Sequence, residues 1–93
     1  MTADDVKQRV LSEIGDRSTN RFGWDFRRFL LPEPALRDYG GELLWTVLVE
    51  RDAEGGEGYH VIFDAEMDKF GLAYSGACFE LHDGGFLQTV DAM

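Results

Sequence analysis

Cys78, Glu80 and His82 are the residues of this chain whose types and spacing come closest to a metal site. They occupy alternate positions of one predicted strand, so their side chains point to one face, and all three types bind zinc. Strand positions i and i+2 are about 7 Å apart, so a site would require a bent strand or His60 from across the sheet. In the alternative, Cys78 is a small buried residue and Glu80 and His82 face solvent. The spacing favours this alternative, and no cofactor is predicted.

Two other patterns of reactive residues, one typical of a nucleophilic catalyst and one of a calcium loop, are incomplete in this sequence. Cys78 with His60 or His82 would supply a nucleophile and a base, but the apolar neighbour Phe79 favours an inert thiol. The acids of segment 64–68 open like a calcium loop, yet the loop positions that require glycine and a bidentate glutamate hold lysine and serine. The sequence therefore predicts a protein that is not an enzyme.

Charge is the most pronounced feature of the composition. The net charge is −9, and residues 1–40 contain seven basic and seven acidic side chains, so residues 41–93 hold the whole excess. A field of this sign repels nucleic acids and anionic membranes and attracts a basic partner. The alternative is that the acidity serves solubility alone. We predict a protein partner, basic in one version, with no nucleic acid and no membrane.

Four arginines, Arg17, Arg21, Arg27 and Arg28, lie among aromatic residues in the N-terminal part. Basic and aromatic residues together are typical of single-strand nucleic-acid grooves, but the rest of the chain is acidic. Pairing with the acidic half of the same chain, or with a partner, is the favoured interpretation.

Length and cysteine content set the class of protein. Ninety-three residues make one domain, 1–93. No apolar run is long enough for a membrane span, the first residues do not form a secretory signal, and one cysteine excludes an intrachain disulfide. These features predict a cytoplasmic protein.

Periodicity predicts the order of the elements. Thr2 begins a helix over about residues 3–14, which Gly15 ends. One helical turn is predicted near 25–29, and two prolines exclude regular structure up to residue 34. Strands follow at about 36–39, 42–51, 59–64, 69–74 and 78–82, and Asp83 caps a last helix at about 84–92. The fold class is α+β: an N-terminal helix, a four- to five-stranded antiparallel β-meander and a C-terminal helix.

The strand at 42–51 is apolar on both faces. A strict alternation places Leu44, Thr46 and Leu48 on one face. The other face then carries Leu43, Trp45, Val47 and Val49. Such a strand needs cover on both sides. Because two helices do not necessarily supply it, a homodimer is one predicted outcome.

The C-terminal part, GYHVIFDAEMDKFGLAYSG at 58–76 and GGFLQTVDAM at 84–93, contains two local motifs. They are the FGLA hairpin Phe70–Ala73 and a helix with the pattern FL-x-T-x-x-x-M. This part, about half of the chain, resembles a family of small uncharacterised bacterial proteins. The resemblance implies a bacterial origin and a similar α+β fold, and it implies no activity.

Two functional hypotheses follow. The first is a non-enzymatic protein-interaction domain, in one version an inhibitor or immunity-type protein that covers a basic site. Its predicted surface consists of Glu50, Asp52, Glu54, Glu57, Asp64, Glu66, Asp68, Leu44 and Leu48. The alternative is a small ligand- or metal-binding domain, in one version an enzyme, with a site near His60, Cys78, Glu80 and His82.

Overall fold

The computed structural model describes residues 1–74 and 78–93, with Cys78 described by its backbone alone. It confirms the α+β class: along the sequence, an N-terminal helix precedes and a C-terminal helix follows the strands of one antiparallel sheet, whose order is β1-β2-β3-β4-β5. The helices are α1 (Ala3–Ile14), a 3₁₀ helix (Phe26–Phe29) and α2 (Gly85–Asp91). The strands are β1 (Leu30–Tyr39), β2 (Glu42–Arg51), β3 (Glu57–Asp64), β4 (Lys69–Tyr74) and β5 (Cys78–His82). The turn predicted at Ser75-Gly76 lies outside the described residues.

Helix α1 begins and ends where the sequence predicts. Thr2 and Asp5 form a capping box, in which the Thr2 hydroxyl accepts from the Asp5 amide (3.2 Å) and the Asp5 carboxylate accepts from the Thr2 amide (2.9 Å). Gly15 ends the helix with a positive φ of 53°. The helix buries Val6, Val10 and Ile14 against the sheet.

Strand β1 begins at Leu30, well before the predicted residue 36. The exclusion of regular structure around Pro32 and Pro34 was wrong, because β1 is an edge strand with a partner on one side only, where missing donors are tolerated. The pairing with β2 jumps from Leu30↔Leu48 to Ala35↔Thr46, so the proline segment bows out of the ladder.

Strand β2 has the predicted bounds, but its faces differ from a strict alternation. Thr46 pairs with Ile62 and Leu48 with Val61, so a β-bulge adds a residue at Val47. After the bulge, Leu48 points to the face that carries the helices, together with Val47. The prediction that Leu48 shares a face with Leu44 and Thr46 was therefore wrong.

The prediction that Asp83 caps helix α2 was wrong. The Asp83 carboxylate instead lies 2.9 Å from Lys69 Nζ, and Gly84 occupies the cap position without a side-chain bond. The Phe86 amide donates to Glu13 Oε1 at 3.1 Å, so a side chain of α1 caps α2.

Both α-helices pack on the same face of the sheet. The larger core joins α1, the 3₁₀ helix and α2 to β2, β3 and β4, and a smaller cluster of Tyr39, Leu44, Ile62 and Ala73 lies on the opposite face. Phe79 and Leu81 of β5 flank that smaller cluster. Neither helix in the described part of the chain is long and apolar enough to cross a membrane.

At Gly71, β4 and β5 approach each other closely. A Cβ at this position would overlap the carbonyl oxygen of Glu80 and lie 2.9 Å from Leu81 Cα, both backbone atoms. We expect Gly71→Ala to lower the free energy of unfolding by about 1–3 kcal/mol, because the strands must separate. Urea denaturation measures this loss. Gly41→Ala, with open space but a φ of 96°, is the control for backbone strain without a clash, and an equal loss there would contradict the explanation.

Candidate functional site: an acidic cleft with an aromatic wall

The described side chains of the predicted metal site, those of His60, Glu80 and His82, do not converge. In the sheet register His60 pairs with Ala73, which pairs with Phe79, whereas Glu80 pairs with Leu72. His60 therefore lies on the opposite face from Glu80 and His82. Among the side chains that the structure describes, no three metal-binding groups surround one point. The side chain of Cys78 lies outside the described residues.

His60 is instead the middle of a buried hydrogen-bond chain. Its Nδ1 lies 2.9 Å from the Tyr39 hydroxyl, and its Nε2 lies 2.8 Å from Glu57 Oε1. The Tyr39 hydroxyl also lies 2.5 Å from Thr46 Oγ1. Both ring nitrogens of His60 thus have protein partners, so neither is free to bind a metal or a substrate in this geometry.

The negative charge of Glu57 determines which groups donate and which accept in this series of hydrogen bonds. Burial raises the pKa of Glu57, but the hydrogen bond with His60 and the charges of Arg51 and Arg37 outweigh it and hold this pKa below its usual value. A carboxylate only accepts, so His60 Nε2–H donates to it. In the neutral imidazole Nδ1 then accepts from Tyr39, and Tyr39 accepts from Thr46.

The seven predicted acids of the interaction surface do not form one patch. Strand β3 separates them, because the β2–β3 loop is at one end of the strand and the β3–β4 turn at the other. Eight residues of β3 span about 26 Å. The structure therefore brings together Glu50, Asp52, Glu54 and Glu57, and places Asp64, Glu66 and Asp68 elsewhere.

The acids of the β3–β4 turn mostly serve the fold. Asp64 is buried, and its Oδ1 accepts from the amides of Glu66 (2.9 Å) and Met67 (3.2 Å). Asp68 forms an ion pair with Arg9 of α1. Of the three predicted residues, only Glu66 is an exposed acid for which the described residues show no ion pair.

The β2–β3 loop has a defined shape that Asp52 maintains. Its Oδ1 accepts from the amides of Glu54 (2.9 Å) and Gly56 (2.8 Å), and its own amide donates to the Gly56 carbonyl (3.0 Å). At the base of the loop, Glu50 Oε1 accepts from the Tyr59 amide at 3.3 Å. Gly58 leaves the room for this, since a Cβ there would overlap the Glu50 carboxylate.

Beside this loop lies a cleft of about 600 Å³. It is lined by Trp24, Glu50, Arg51, Asp52, Gly56, Glu57, Gly58, Tyr59 and Tyr74. Three of the four predicted loop acids thus reach one concave site. The fourth, Glu54, is exposed at the loop.

Aromatic side chains form the other wall of the cleft. Tyr59 and Tyr74 are partners in the β3–β4 ladder, with ring centroids 5.1 Å apart, and they are 39% and 56% exposed. Trp24 is half-buried and stacks on Phe29 at 5.1 Å, which fixes its ring. None of these three residues was predicted from the sequence. The available signal was the position of Tyr59 and Tyr74 at the ends of predicted strands, close to Gly58 and Gly76 in sequence.

Leu44 and Leu48 do not belong to any exposed surface. They are 3% and 0% exposed, in the two separate cores on opposite faces of the sheet. The prediction that they offer an apolar interaction surface was wrong, because the helix-side core covers Leu48 and the smaller cluster on the opposite face covers Leu44.

The predicted pairing of N-terminal arginines with the acidic half is confirmed for Arg17, whose guanidinium lies 2.5 Å from Asp91. Arg9 and Arg37 make similar ion pairs, with Asp68 and Glu57. Arg27 instead donates to backbone carbonyl oxygens of the loop after α1, so it orders that loop.

Comparison with known proteins adds no relative to this chain: no family model, no curated protein and no solved structure matches it.

Proposed function

We propose that this chain is a non-enzymatic protein-interaction domain, whose cleft of Glu50, Asp52, Trp24, Tyr59 and Tyr74 binds a basic side chain of a partner. The observation that supports the proposal is the meeting of carboxylates and exposed aromatic rings in one concave site. A guanidinium or ammonium group gains from both, by charge pairing and by contact with the ring faces.

The local charges favour a cation over an anion. Glu50 and Asp52 each use one carboxylate oxygen for loop amides, and no ion pair in the described part of the chain neutralises either. Arg51 lines the cleft, but its guanidinium lies 3.9 Å from Glu57 Oε2. The excess of −9 on residues 41–93 adds a long-range field that speeds the approach of a basic partner.

Arginine fits this cleft better than lysine. Its planar guanidinium can stack on a tyrosine or tryptophan ring while donating to a carboxylate in the same plane. The inhibitor version of the hypothesis, in which the cleft covers a basic active site, is the most specific form of the proposal. The bacterial family and the homodimer stay predictions.

The proposal is tested with a short arginine-containing peptide and its citrulline analogue, which has the same shape without the charge. We expect the arginine peptide to perturb the resonances of Tyr59, Tyr74 and the β2–β3 loop in NMR titrations, and the citrulline peptide to leave them in place. Glu50→Gln is expected to weaken arginine binding about 5- to 10-fold, the range of one charge-assisted contact.

Glu66→Gln is the matched control, because it removes the same charge from an exposed position at the other end of β3. An equal loss of affinity for both variants would show that net charge, rather than the cleft, attracts the peptide. Tyr74→Ala adds a second test, since it removes an exposed ring without touching a charge. Unchanged affinity in this variant would exclude the aromatic wall from the site.

A further inference from the structure

A second cavity, of about 230 Å³, lies between α1 and the bowed part of β1, away from the acidic cleft. It is lined by Lys7, Val10, Leu11, Leu30, Leu31, Pro32, Pro34 and Val47. Seven of the eight residues are apolar, and the eighth is a cation. A pocket of this composition matches a ligand with an apolar body and one anionic group.

The irregularity of β1 creates this space. Five steps along β1, from Leu30 to Ala35, are matched by two steps along β2, from Leu48 to Thr46. The intervening residues therefore leave the ladder, and Pro32 and Pro34 lack the amides that would restore it. Val47, the bulged residue of β2, is buried and also lines the opening.

Lys7 is available for a ligand. It is exposed on α1, and it takes part in none of the ion pairs among the described residues. The net charge of the molecule opposes an anion, but residues 1–40, which contain Lys7 and most of the lining, are neutral in sum. The local positive charge of Lys7 therefore favours a ligand with an anionic group.

We propose that this cavity binds a medium-chain carboxylic acid, with its alkyl chain among Leu11, Leu31 and Val47 and its carboxylate at the Lys7 ammonium. A cavity of 150 Å³ holds benzene, so one of about 230 Å³ holds an alkyl chain of about eight carbons. The proposal does not depend on the acidic cleft, because the two cavities share no residue.

Octanoate is the probe, with hexanoate, octanol and octylammonium as comparisons, in NMR titrations of the full chain. We expect octanoate to shift the amides of α1 and of residues 30–34 and 47. Because each buried methylene adds about fourfold in affinity, octanoate, with two more methylenes, should bind about 15-fold more tightly than hexanoate. Octylammonium, of equal length and opposite charge, should bind more weakly than octanol.

Lys7→Gln should weaken octanoate about 5- to 10-fold and leave octanol unchanged, while Lys69→Gln, at the only other lysine of the chain, should change neither. Leu31→Trp, on the edge strand, should fill the cavity and abolish binding of both, with circular dichroism to verify the fold. The proposal is overturned if octanoate shifts no amide near the cavity, if octylammonium binds as tightly as octanoate, or if Lys7→Gln leaves octanoate affinity intact.

Discussion

Phe86→Ala is expected to lower the free energy of unfolding by about 3–5 kcal/mol, the range for removing a large buried aromatic side chain. Phe86 is fully buried, and its ring meets those of Phe26 and Phe70 edge to face at 5.6 and 5.7 Å. Phe86 of α2 therefore contacts both the 3₁₀ helix and β4 in the core. Truncation leaves a cavity that these three elements cannot all close.

A domain of this length has a total stability of about 5–14 kcal/mol, so the loss is a large share of it. Urea denaturation followed by tryptophan fluorescence measures the change. Phe22→Ala is the matched control: the ring is 68% exposed, and we expect a change within about 0.5 kcal/mol. A similar loss in both variants would contradict the central position of Phe86.

Local signals predicted most of the fold. The bounds of α1, β2, β4 and β5 match because caps, glycine pairs and alternation act between residues close in sequence. Gly40 and Gly41, with φ of 67° and 96°, close the two-residue hairpin that a glycine pair between two strands favours. The errors have long-range causes. The side chain that caps α2 belongs to Glu13, 73 residues before Phe86, and no local pattern indicates it.

The β-bulge at Val47 shows why the face of a strand is harder to predict than its bounds. One extra residue exchanges the faces of everything that follows it. Leu48 thereby joins the helix-covered core, and Val49 pairs with His60 on the opposite face. The alternation rule assumes that every residue pairs with a partner in the neighbouring strand. It therefore gives the wrong face after a bulge, where one residue has no partner.

The candidate site was half predictable. The acids of the β2–β3 loop were predicted from the charge distribution, which can be determined from the sequence without knowledge of the fold. The aromatic wall was not predictable. Trp24 belongs to a loop far away in sequence, and Tyr74 lies in the cleft because the β3–β4 register pairs it with Tyr59. The division of the seven acids, in contrast, follows from the strand predicted at about 59–64, which separates them along the sequence.

Tyr39→Phe is expected to lower the free energy of unfolding by about 2–4 kcal/mol, although it removes a single oxygen atom. Each buried polar group left without a partner costs about 1–3 kcal/mol, and the lost hydroxyl contacts two, His60 Nδ1 and Thr46 Oγ1. Both residues are buried, so solvent does not replace the hydroxyl. Tyr74→Phe, with an exposed ring, is the matched control and should change stability by less than about 0.5 kcal/mol.

The same hydroxyl makes stability depend on alkaline pH. Burial raises the pKa of Tyr39 above its ordinary value, against the smaller opposing effect of the hydrogen bond with Thr46. The folded chain therefore keeps a proton that the unfolded chain releases near pH 10. The stability linked to this proton is complete below that pH and is lost as the pH rises through the folded pKa.

Urea denaturation between pH 8 and pH 11 separates this effect from general alkaline unfolding. The wild type should lose stability steeply above about pH 10, and Tyr39→Phe, although weaker at pH 8, should lose less over the same interval. Tyr74→Phe should retain the wild-type slope. Parallel curves for the wild type and Tyr39→Phe would show that the proton on Tyr39 does not stabilise the fold.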